Sequence, residues 1–199
     1  MAASAIHPVG DLADLVRRLR SATGAYDDEA VSLLTHQLQC AASLAATRPD
    51  DVELQVAGLV HDLGWLAPRE DGVAEVVLDA QHDRVGAALV GRLLGGRVAR
   101  LVGGHVRAKR YLVATDPAYA GRLSERSVVT LALQGGPLDA DAVAAFASSP
   151  DFEATLALRR ADETAKDPDA VVPPLEHWMP ALERVVAARR AHAGAPHAR

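Results

Sequence analysis

An adjacent histidine and aspartate, His61 and Asp62, end an apolar segment and have side chains that can bind a metal ion. Four further candidate ligands are each at least twenty residues from the next one: His36, His82, His105 and Asp162. Imidazole and carboxylate groups without a thiolate suit iron, manganese or zinc. Because no local loop can bring such distant residues to one ion, the spacing predicts a helical bundle that gathers them in its core.

The His61-Asp62 pair also suggests that the site holds two ions. Neighbouring side chains on a helix diverge by about 100°, so Asp62 can bridge two metal ions while His61 binds only one. His36 lies four residues before Cys40, which offers an alternative metal pair on one helical face. A small buried cysteine without a ligand role is the simpler interpretation of Cys40. The other histidines suit packing or surface positions: His7, His177, His192 and His197.

The elements that must position these ligands are predicted to be helices. Hydrophobic residues make up 49% of the chain and aromatic residues only 4%, so the core must consist mainly of Ala, Leu and Val, which favours close-packed helices. Apolar periodicity predicts helical segments over residues 11–20, 28–47, 51–63, 83–94, 97–112, 124–133, 139–147, 152–165 and 175–191. Asp27 or Asp28 is the expected cap of the second helix, and residues 69–81 are expected to form a partly ordered loop over the site.

Length and composition predict one domain over residues 1–191, followed by a flexible tail over residues 192–199. The single cysteine and the absence of a signal-peptide pattern predict a cytoplasmic protein. A net charge of −5 and a pI near 5.9 give no electrostatic footprint for nucleic acid or an anionic membrane. We therefore expect neither as a partner, and the oligomeric state is left open.

The order of the six ligands resembles the HD-domain superfamily of helical metalloproteins, which contains phosphohydrolases and a smaller group of mixed-valent di-iron oxygenases. The resemblance extends from about Tyr26 to Asp167 and implies an HD-type helical bundle with a di-metal site in its core. Carried over to this chain, it implies a first ion held by His36, His61, Asp62 and Asp162, and a second held by His82, His105 and the bridging Asp62.

Further segments resemble the di-iron oxygenases that cleave the carbon–phosphorus bond of 1-hydroxyalkylphosphonates. These segments are residues 26–29, 105–112, 127–130, 134–137 and 158–162. The resemblance implies that Tyr26 and Glu29 act as a lid, with the tyrosine occupying an iron position until substrate displaces it. It also implies a phosphonate pocket lined by Lys109, Ser127, Thr130, Gln134 and Arg159.

The chemistry of those five residues agrees with that implication. A phosphonate dianion needs cations and directional hydrogen-bond donors, and this set supplies both. Lys109 lies four residues after His105 and therefore on the same helical face. Ser127, Thr130 and Gln134 form one polar stripe for the same reason. The alternative interpretation is that these side chains are solvated helical faces.

Trp65 is the residue that departs from the family, which usually has a second histidine in the pattern His-Asp-x-Gly-His. An indole N–H can still reach an oxyanion, and the ring face can hold a quaternary ammonium group by cation–π attraction. We therefore include Trp65 in the substrate site and expect a substrate other than the family's common 2-amino-1-hydroxyethylphosphonate.

These residues together predict an O2-dependent oxygenase with two iron ions, Fe(II) and Fe(III), that converts a small 1-hydroxyphosphonate into phosphate and a carboxylic acid. One alternative is a metal-dependent phosphohydrolase that uses two metals to activate water against a phosphate ester or nucleotide. Another is a regulatory HD module that binds a metabolite without turnover. The six ligands fit both enzymes, whereas the pocket residues, Tyr26 and Glu29 favour the oxygenase. We expect Tyr26, Glu29 and Lys109 to be the catalytic residues.

Overall fold

A computed structural model describes residues 7–24, 30–66 and 75–194 of the chain. These residues form helices and no β-sheet, which confirms the all-α prediction. The α-helices are α1 (Leu12–Ser21), α2 (Leu33–Thr47), α3 (Val52–Val60), α4 (Glu75–Leu94), α5 (Gly96–Thr115), α6 (Pro117–Ala120), α7 (Glu125–Leu133), α8 (Ala140–Ala147), α9 (Phe152–Thr164) and α10 (Met179–Gly194). Short 3-10 helices span Leu63–Leu66 and Leu175–Trp178.

Five helices surround the centre of the bundle. Helix α4 packs along α5, α2 packs along α3, and α9 contacts α2, α3 and α5. Their shared core is mainly leucine, valine and alanine, as the composition predicts. The largest side chains that are almost fully buried are leucines, for which burial stabilises the fold by about 1.5–3 kcal/mol each: Leu15, Leu19, Leu44, Leu54, Leu59, Leu63, Leu89, Leu94, Leu101, Leu158 and Leu182.

Helix α2 begins later than predicted. Ser32 is its N-cap, with a side chain that accepts a hydrogen bond from the backbone N–H of Thr35, so the helix runs over Leu33–Thr47 rather than over residues 28–47. The predicted caps Asp27 and Asp28 lie outside the described residues. Serine caps a helix as well as aspartate does, and the apolar periodicity alone did not separate the two possible starts.

The segment between α3 and α4 differs from the prediction in two ways. Helix α3 ends at Val60, and Gly64 lies inside the following 3-10 helix instead of ending a helix over residues 51–63. A Cβ atom on Gly64 would lie 2.1 Å from the carbonyl oxygen of His82, so only glycine allows this close approach to α4. The predicted loop over residues 69–81 is wrong for residues 75–81, which belong to α4, with a non-helical kink at Gln81.

The remaining helices follow the predictions closely. Residues 97–112 lie within one helix, α5, which ends only at Thr115. The C-terminal segment predicted over residues 175–191 is divided into a 3-10 helix and α10, and α10 continues to Gly194, three residues beyond the predicted end. The flexibility of the tail stays a prediction. Among the described residues, no helix is long and apolar enough to cross a membrane.

Candidate metal centre

The six predicted ligands meet in the centre of the bundle and are all buried. His36 lies on α2, His61 and Asp62 directly follow α3, His82 and His105 lie on α4 and α5, and Asp162 lies on α9. Their ligand atoms form two compact groups. The first contains His36, His61 and Asp162, and the second contains Asp62, His82 and His105.

In the first group, the potential ligand atoms lie close to one another. Nε2 of His36 lies 3.1 Å from Nε2 of His61, and Oδ1 of Asp162 lies 3.3 Å and 3.6 Å from these two nitrogens. In the second group, Nε2 of His82 lies 3.0 Å from Nε2 of His105. Each group thus points several donor atoms at one small volume.

Asp62 joins the two groups because its carboxylate oxygens face in different directions. Oδ2 lies 3.6 Å and 3.5 Å from the Nε2 atoms of His36 and His61. Oδ1 lies 3.5 Å from the Nε2 atoms of both His82 and His105. The carboxylate therefore lies where a bridge between two ions would need it, and bridging itself stays a prediction.

Backbone carbonyl groups fix which nitrogen of three ligand histidines points to the centre. Nδ1–H of His36 donates to Ala165 O at 2.9 Å, that of His61 to Gly58 O at 2.8 Å, and that of His105 to Val102 O at 2.6 Å. Because a carbonyl can only accept, these rings donate through Nδ1 and present Nε2 to the centre when neutral. Such hydrogen bonds orient the histidine ligands of metal sites.

The donor set fits metal ions. Two neutral rings that face each other through Nε2 lone pairs are not satisfied by each other, whereas a cation satisfies both. Ligands at about 2.1 Å from an ion lie about 3.0 Å apart in an octahedron and about 3.4 Å apart in a tetrahedron, close to the distances within each group. Cys40 is buried and belongs to neither group, which favours its interpretation as a buried cysteine without a ligand role.

The electrostatics of the centre also favour cation binding. Burial raises the pKa of Asp62, but His61 and His82 outweigh it and leave that pKa below the usual range. Burial lowers the pKa of His61, but Asp62 outweighs it and raises the pKa well above its usual value. A metal ion bound here would replace the proton that the carboxylates otherwise favour on His61.

Two glycines let the ligand-bearing helices approach each other. A Cβ atom on Gly58 would lie 2.6 Å from Leu44 Cδ1 and 3.3 Å from the backbone nitrogen of Ala41, so glycine permits the close contact of α3 with α2. A Cβ atom on Gly104, directly before His105, would lie 2.9 Å from Thr155 Cγ2 on α9. These close contacts bring the ligands on or next to four helices, α2, α3, α5 and α9, within reach of the same centre.

A small cavity opens beside the second ligand group and leaves room for about 40 Å³ of water-sized groups. Its lining includes Asp62, His82, His105 and Asp162, so the cavity reaches both ligand groups. Five of the predicted substrate-binding residues also line the cavity: Trp65, Lys109, Ser127, Thr130 and Arg159.

Lys109 and Thr130 form the polar wall of this cavity. Nζ of Lys109 donates to Oγ1 of Thr130 at 2.9 Å, and the hydroxyl of Thr130 donates to Ser127 O at 3.3 Å. Burial, together with the guanidinium of Arg159, lowers the pKa of Lys109 to about 7. With a pKa of about 7, Lys109 gains or loses its charge near neutral pH. A bound anion would favour its protonated form.

Arg159 has a second set of contacts that the sequence did not indicate. Its Nη1 donates to Oδ2 of Asp162 at 2.5 Å, its Nε donates to the hydroxyl of Tyr119 at 2.7 Å, and its Nη2 donates to Glu163. The guanidinium therefore contacts a ligand of the first group from outside the centre. Burial lowers the pKa of Arg159, but Asp162 and its other neighbours outweigh this, so it stays charged.

The other predicted site residues stand differently. Gln134 is the C-cap of α7, is buried, and is not part of the cavity lining, so its contact with substrate stays a prediction. Trp65 lines the cavity and stacks on His82, with ring centroids 4.8 Å apart and planes inclined by 22°. Tyr26 and Glu29 lie outside the described residues, so their lid function also stays a prediction.

Sequence reasoning missed four residues around the cavity. Arg126 and Lys166 line it, and Tyr119 and Glu163 hold Arg159. Arg126 lies four residues before Thr130 on α7, so helical spacing could have indicated it, whereas Lys166 lies beyond the end of α9. Tyr119 had no such signal, because it lies forty residues before Arg159 in a short helix that the periodicity did not reveal.

Comparison with known proteins gives three similar chains, while no protein-family profile matches. The chain is 37% identical over 163 residues to [1-hydroxy-2-(trimethylamino)ethyl]phosphonate dioxygenase (glycine-betaine-forming) of Leisingera caerulea, covering 81% of this chain and 82% of that protein. It is 35% identical to hydroxymethylphosphonate dioxygenase of Gimesia maris, covering 78% of each chain. It is also 30% identical to an uncharacterized protein of Acanthamoeba polyphaga mimivirus, covering 77% of this chain and 71% of that protein.

Proposed function

The chain belongs to the family of dioxygenases that act on 1-hydroxyphosphonates, and on this premise we propose that it uses O2 to cleave the carbon–phosphorus bond of a small 1-hydroxyphosphonate. The products are phosphate and a carboxylic acid. The observation that supports this most directly is the position of Lys109 and Thr130, which line a cavity that also exposes Asp62 between two groups of metal ligands.

Two iron ions fit the proposed reaction and the donor set. His36, His61 and Asp162 would hold the first, and His82 and His105 the second, with Asp62 between them. When bound, a mixed-valent iron pair supplies the one-electron chemistry with O2 that amino-acid side chains lack. Imidazole and carboxylate ligands without a thiolate are suitable for iron in both oxidation states.

The protein's own residues would bind and orient the substrate. Lys109 would pair with a phosphonate oxygen, and the hydroxyl groups of Ser127 and Thr130 would accept or donate hydrogen bonds beside it. Because these groups sit on the fixed helices α5 and α7, they would hold C1 at a constant position next to the metal centre. The predicted roles of Arg159 and Gln134 in phosphonate binding, and of Tyr26 and Glu29 in covering the site, belong to the same proposal.

The overall reaction balances without a further reductant. One substrate molecule and one O2 give one carboxylate, one phosphate and a proton. The C–P bond and the C1–H bond break, C1 is oxidised to the carboxylate level, and one oxygen atom from O2 enters each product. The name of the Leisingera caerulea relative contains a carboxylic acid, glycine betaine, as its product, which supports this stoichiometry for the chain.

The test is to load the purified protein with iron(II) and supply 1-hydroxyphosphonates in the presence and absence of O2. We expect phosphate release that consumes one O2 per phosphate and stops under argon. The Lys109→Ala variant should bind iron normally and release phosphate more slowly at low substrate concentration. Release of phosphate from a phosphate monoester under argon, with no reaction on any phosphonate, would instead favour the phosphohydrolase.

A further inference from the structure

A ring of hydrogen bonds around Arg159 lies behind the metal centre. Nε of Arg159 donates to Oη of Tyr119 at 2.7 Å, and Nη2 donates to the carboxylate of Glu163. Oη of Tyr119 in turn donates to Oε2 of Glu163 at 3.2 Å, which closes the ring. Tyr119 and Arg159 are each only 6% exposed, so these contacts are largely shielded from water.

The ring is connected to the first group of metal ligands through one further hydrogen bond. Nη1 of Arg159 donates to Oδ2 of Asp162 at 2.5 Å, while Oδ1 of Asp162 lies 3.3 Å from Nε2 of His36. A guanidinium is planar and rigid, so contacts at three of its nitrogens fix both its position and its orientation. Asp162 therefore presents one oxygen to the centre because Arg159 engages the other.

Packing alone does not account for the hydroxyl group of Tyr119. Its ring belongs to a hydrophobic cluster with Leu112, Phe146 and Leu156, and a phenylalanine ring would pack there equally well. Burial of a phenol is costly unless the hydroxyl finds hydrogen-bond partners. Both partners of this hydroxyl are charged side chains, Glu163 and Arg159. The hydroxyl of Tyr119 therefore has a structural role in holding the guanidinium of Arg159 in place.

We propose that Tyr119 and Glu163 are positioning residues, which fix Arg159 and through it hold Asp162 in the orientation that binds the first metal ion. Hydrogen-bond partners of this kind commonly change metal affinity by about 10–100-fold when they are removed. Among the described residues, three of the five guanidinium N–H groups are engaged in this way, and the other two could donate to a phosphonate oxygen. Only this last point rests on the proposed function.

The test measures binding of iron(II) alone to metal-free protein under argon, by titration with equilibrium dialysis. The variants are Tyr119→Phe, Glu163→Ala and Glu163→Gln. The matched control is Tyr111→Phe, which removes a phenol from the same aromatic cluster without touching Arg159. We expect Tyr119→Phe to bind one of the two ions roughly tenfold more weakly and the other with unchanged affinity.

The Glu163 variants separate positioning from general damage to the fold. Glu163→Gln keeps a hydrogen-bond acceptor for Arg159, so it should retain more affinity for the first ion than Glu163→Ala. The side chain of Glu163 is partly exposed, which makes both variants suitable if Tyr119→Phe does not fold. Parent-like binding of both ions by Tyr119→Phe and Glu163→Ala, or an equal loss in Tyr111→Phe, would overturn the proposal. Because the titration contains no phosphonate, its result is independent of whether the parent releases phosphate.

Discussion

Oδ1 of Asp62 lies 3.5 Å from Nε2 of His105, while the other oxygen of the same carboxylate faces the histidines of the first ligand group. One side chain thereby lies between both ligand groups. In the proposed two-metal centre, its loss would remove a ligand from each ion, whereas the loss of any one histidine would remove a ligand from a single ion.

We expect the Asp62→Ala variant to lose both metal ions and the His82→Ala variant to lose mainly the second. The measurement is the iron content of purified protein by elemental analysis, with the exposed His192→Ala as a control that should keep both ions. Full iron content in Asp62→Ala would contradict the bridging position of this carboxylate.

The Lys109→Ala variant should bind substrate more weakly without losing iron. A charge-assisted hydrogen bond to a buried anion contributes about 1.5–3 kcal/mol, which corresponds to about one to two decades in affinity. Binding of a 1-hydroxyphosphonate to the iron-loaded protein under argon, measured by calorimetry, checks this value. Unchanged affinity would show that the phosphonate binds elsewhere.

The pH dependence of phosphonate binding should follow Lys109. Its pKa is lowered to about 7, so the ammonium charge is lost as the pH rises through this value. Affinity for the phosphonate should therefore fall between about pH 7 and 9 in the parent. Lys109→Arg should not show this fall, since a guanidinium stays charged up to about pH 12. The same decline in both proteins would assign the titration to another group.

The lowered pKa of Lys109 also makes the free energy of unfolding depend on pH. Between about pH 7 and the ordinary lysine value of 10.5, the unfolded chain binds a proton at Lys109 that the folded chain does not. The contribution of Lys109 to the free energy of unfolding therefore rises with pH across this window. Comparison of urea unfolding of the parent and Lys109→Met isolates this contribution.

Gly64→Ala should destabilise the protein and weaken the second metal site. The added Cβ atom would lie 2.1 Å from the carbonyl oxygen of His82, so the 3-10 helix or α4 must shift. Overpacking of this kind costs about 1–3 kcal/mol. The control is Gly121→Ala, where the nearest atom to a new Cβ lies at 3.8 Å. Thermal unfolding and iron content of the two variants should differ clearly; matching values would show that the backbone adapts without strain.

Trp65 should influence which substituent the substrate has at C2. Its ring lines the cavity and stacks on His82, so it is fixed next to a metal ligand and can meet a diffuse cation such as trimethylammonium. Phosphate release from unsubstituted, 2-amino and 2-trimethylammonio 1-hydroxyphosphonates should be measured with the parent and with Trp65→His. We expect the preference for the trimethylammonio substrate to decrease in the variant. Identical preferences would limit Trp65 to packing.

Much of the fold follows from local sequence patterns. The predicted segments that start at residues 11, 124 and 139 correspond to α1, α7 and α8, for which Asp11, Ser124 and Asp139 are the N-caps. Local patterns did not predict where α2 begins or that residues 75–81 are helical. Residues 75–81 mix charged and apolar side chains without a clean helical period, so periodicity alone did not indicate a helix there.

The sequence by itself determined which residues could be ligands, because only certain side chains bind a hard or borderline metal and their order along the chain is characteristic. Tertiary structure decided how they are arranged: the two oxygens of Asp62 face separate histidine pairs, and Arg159 contacts Asp162 as well as the cavity. It also placed Tyr119 against Arg159. These relations depend on the packing of helices that are distant in sequence, and helical spacing encodes only which residues share a face.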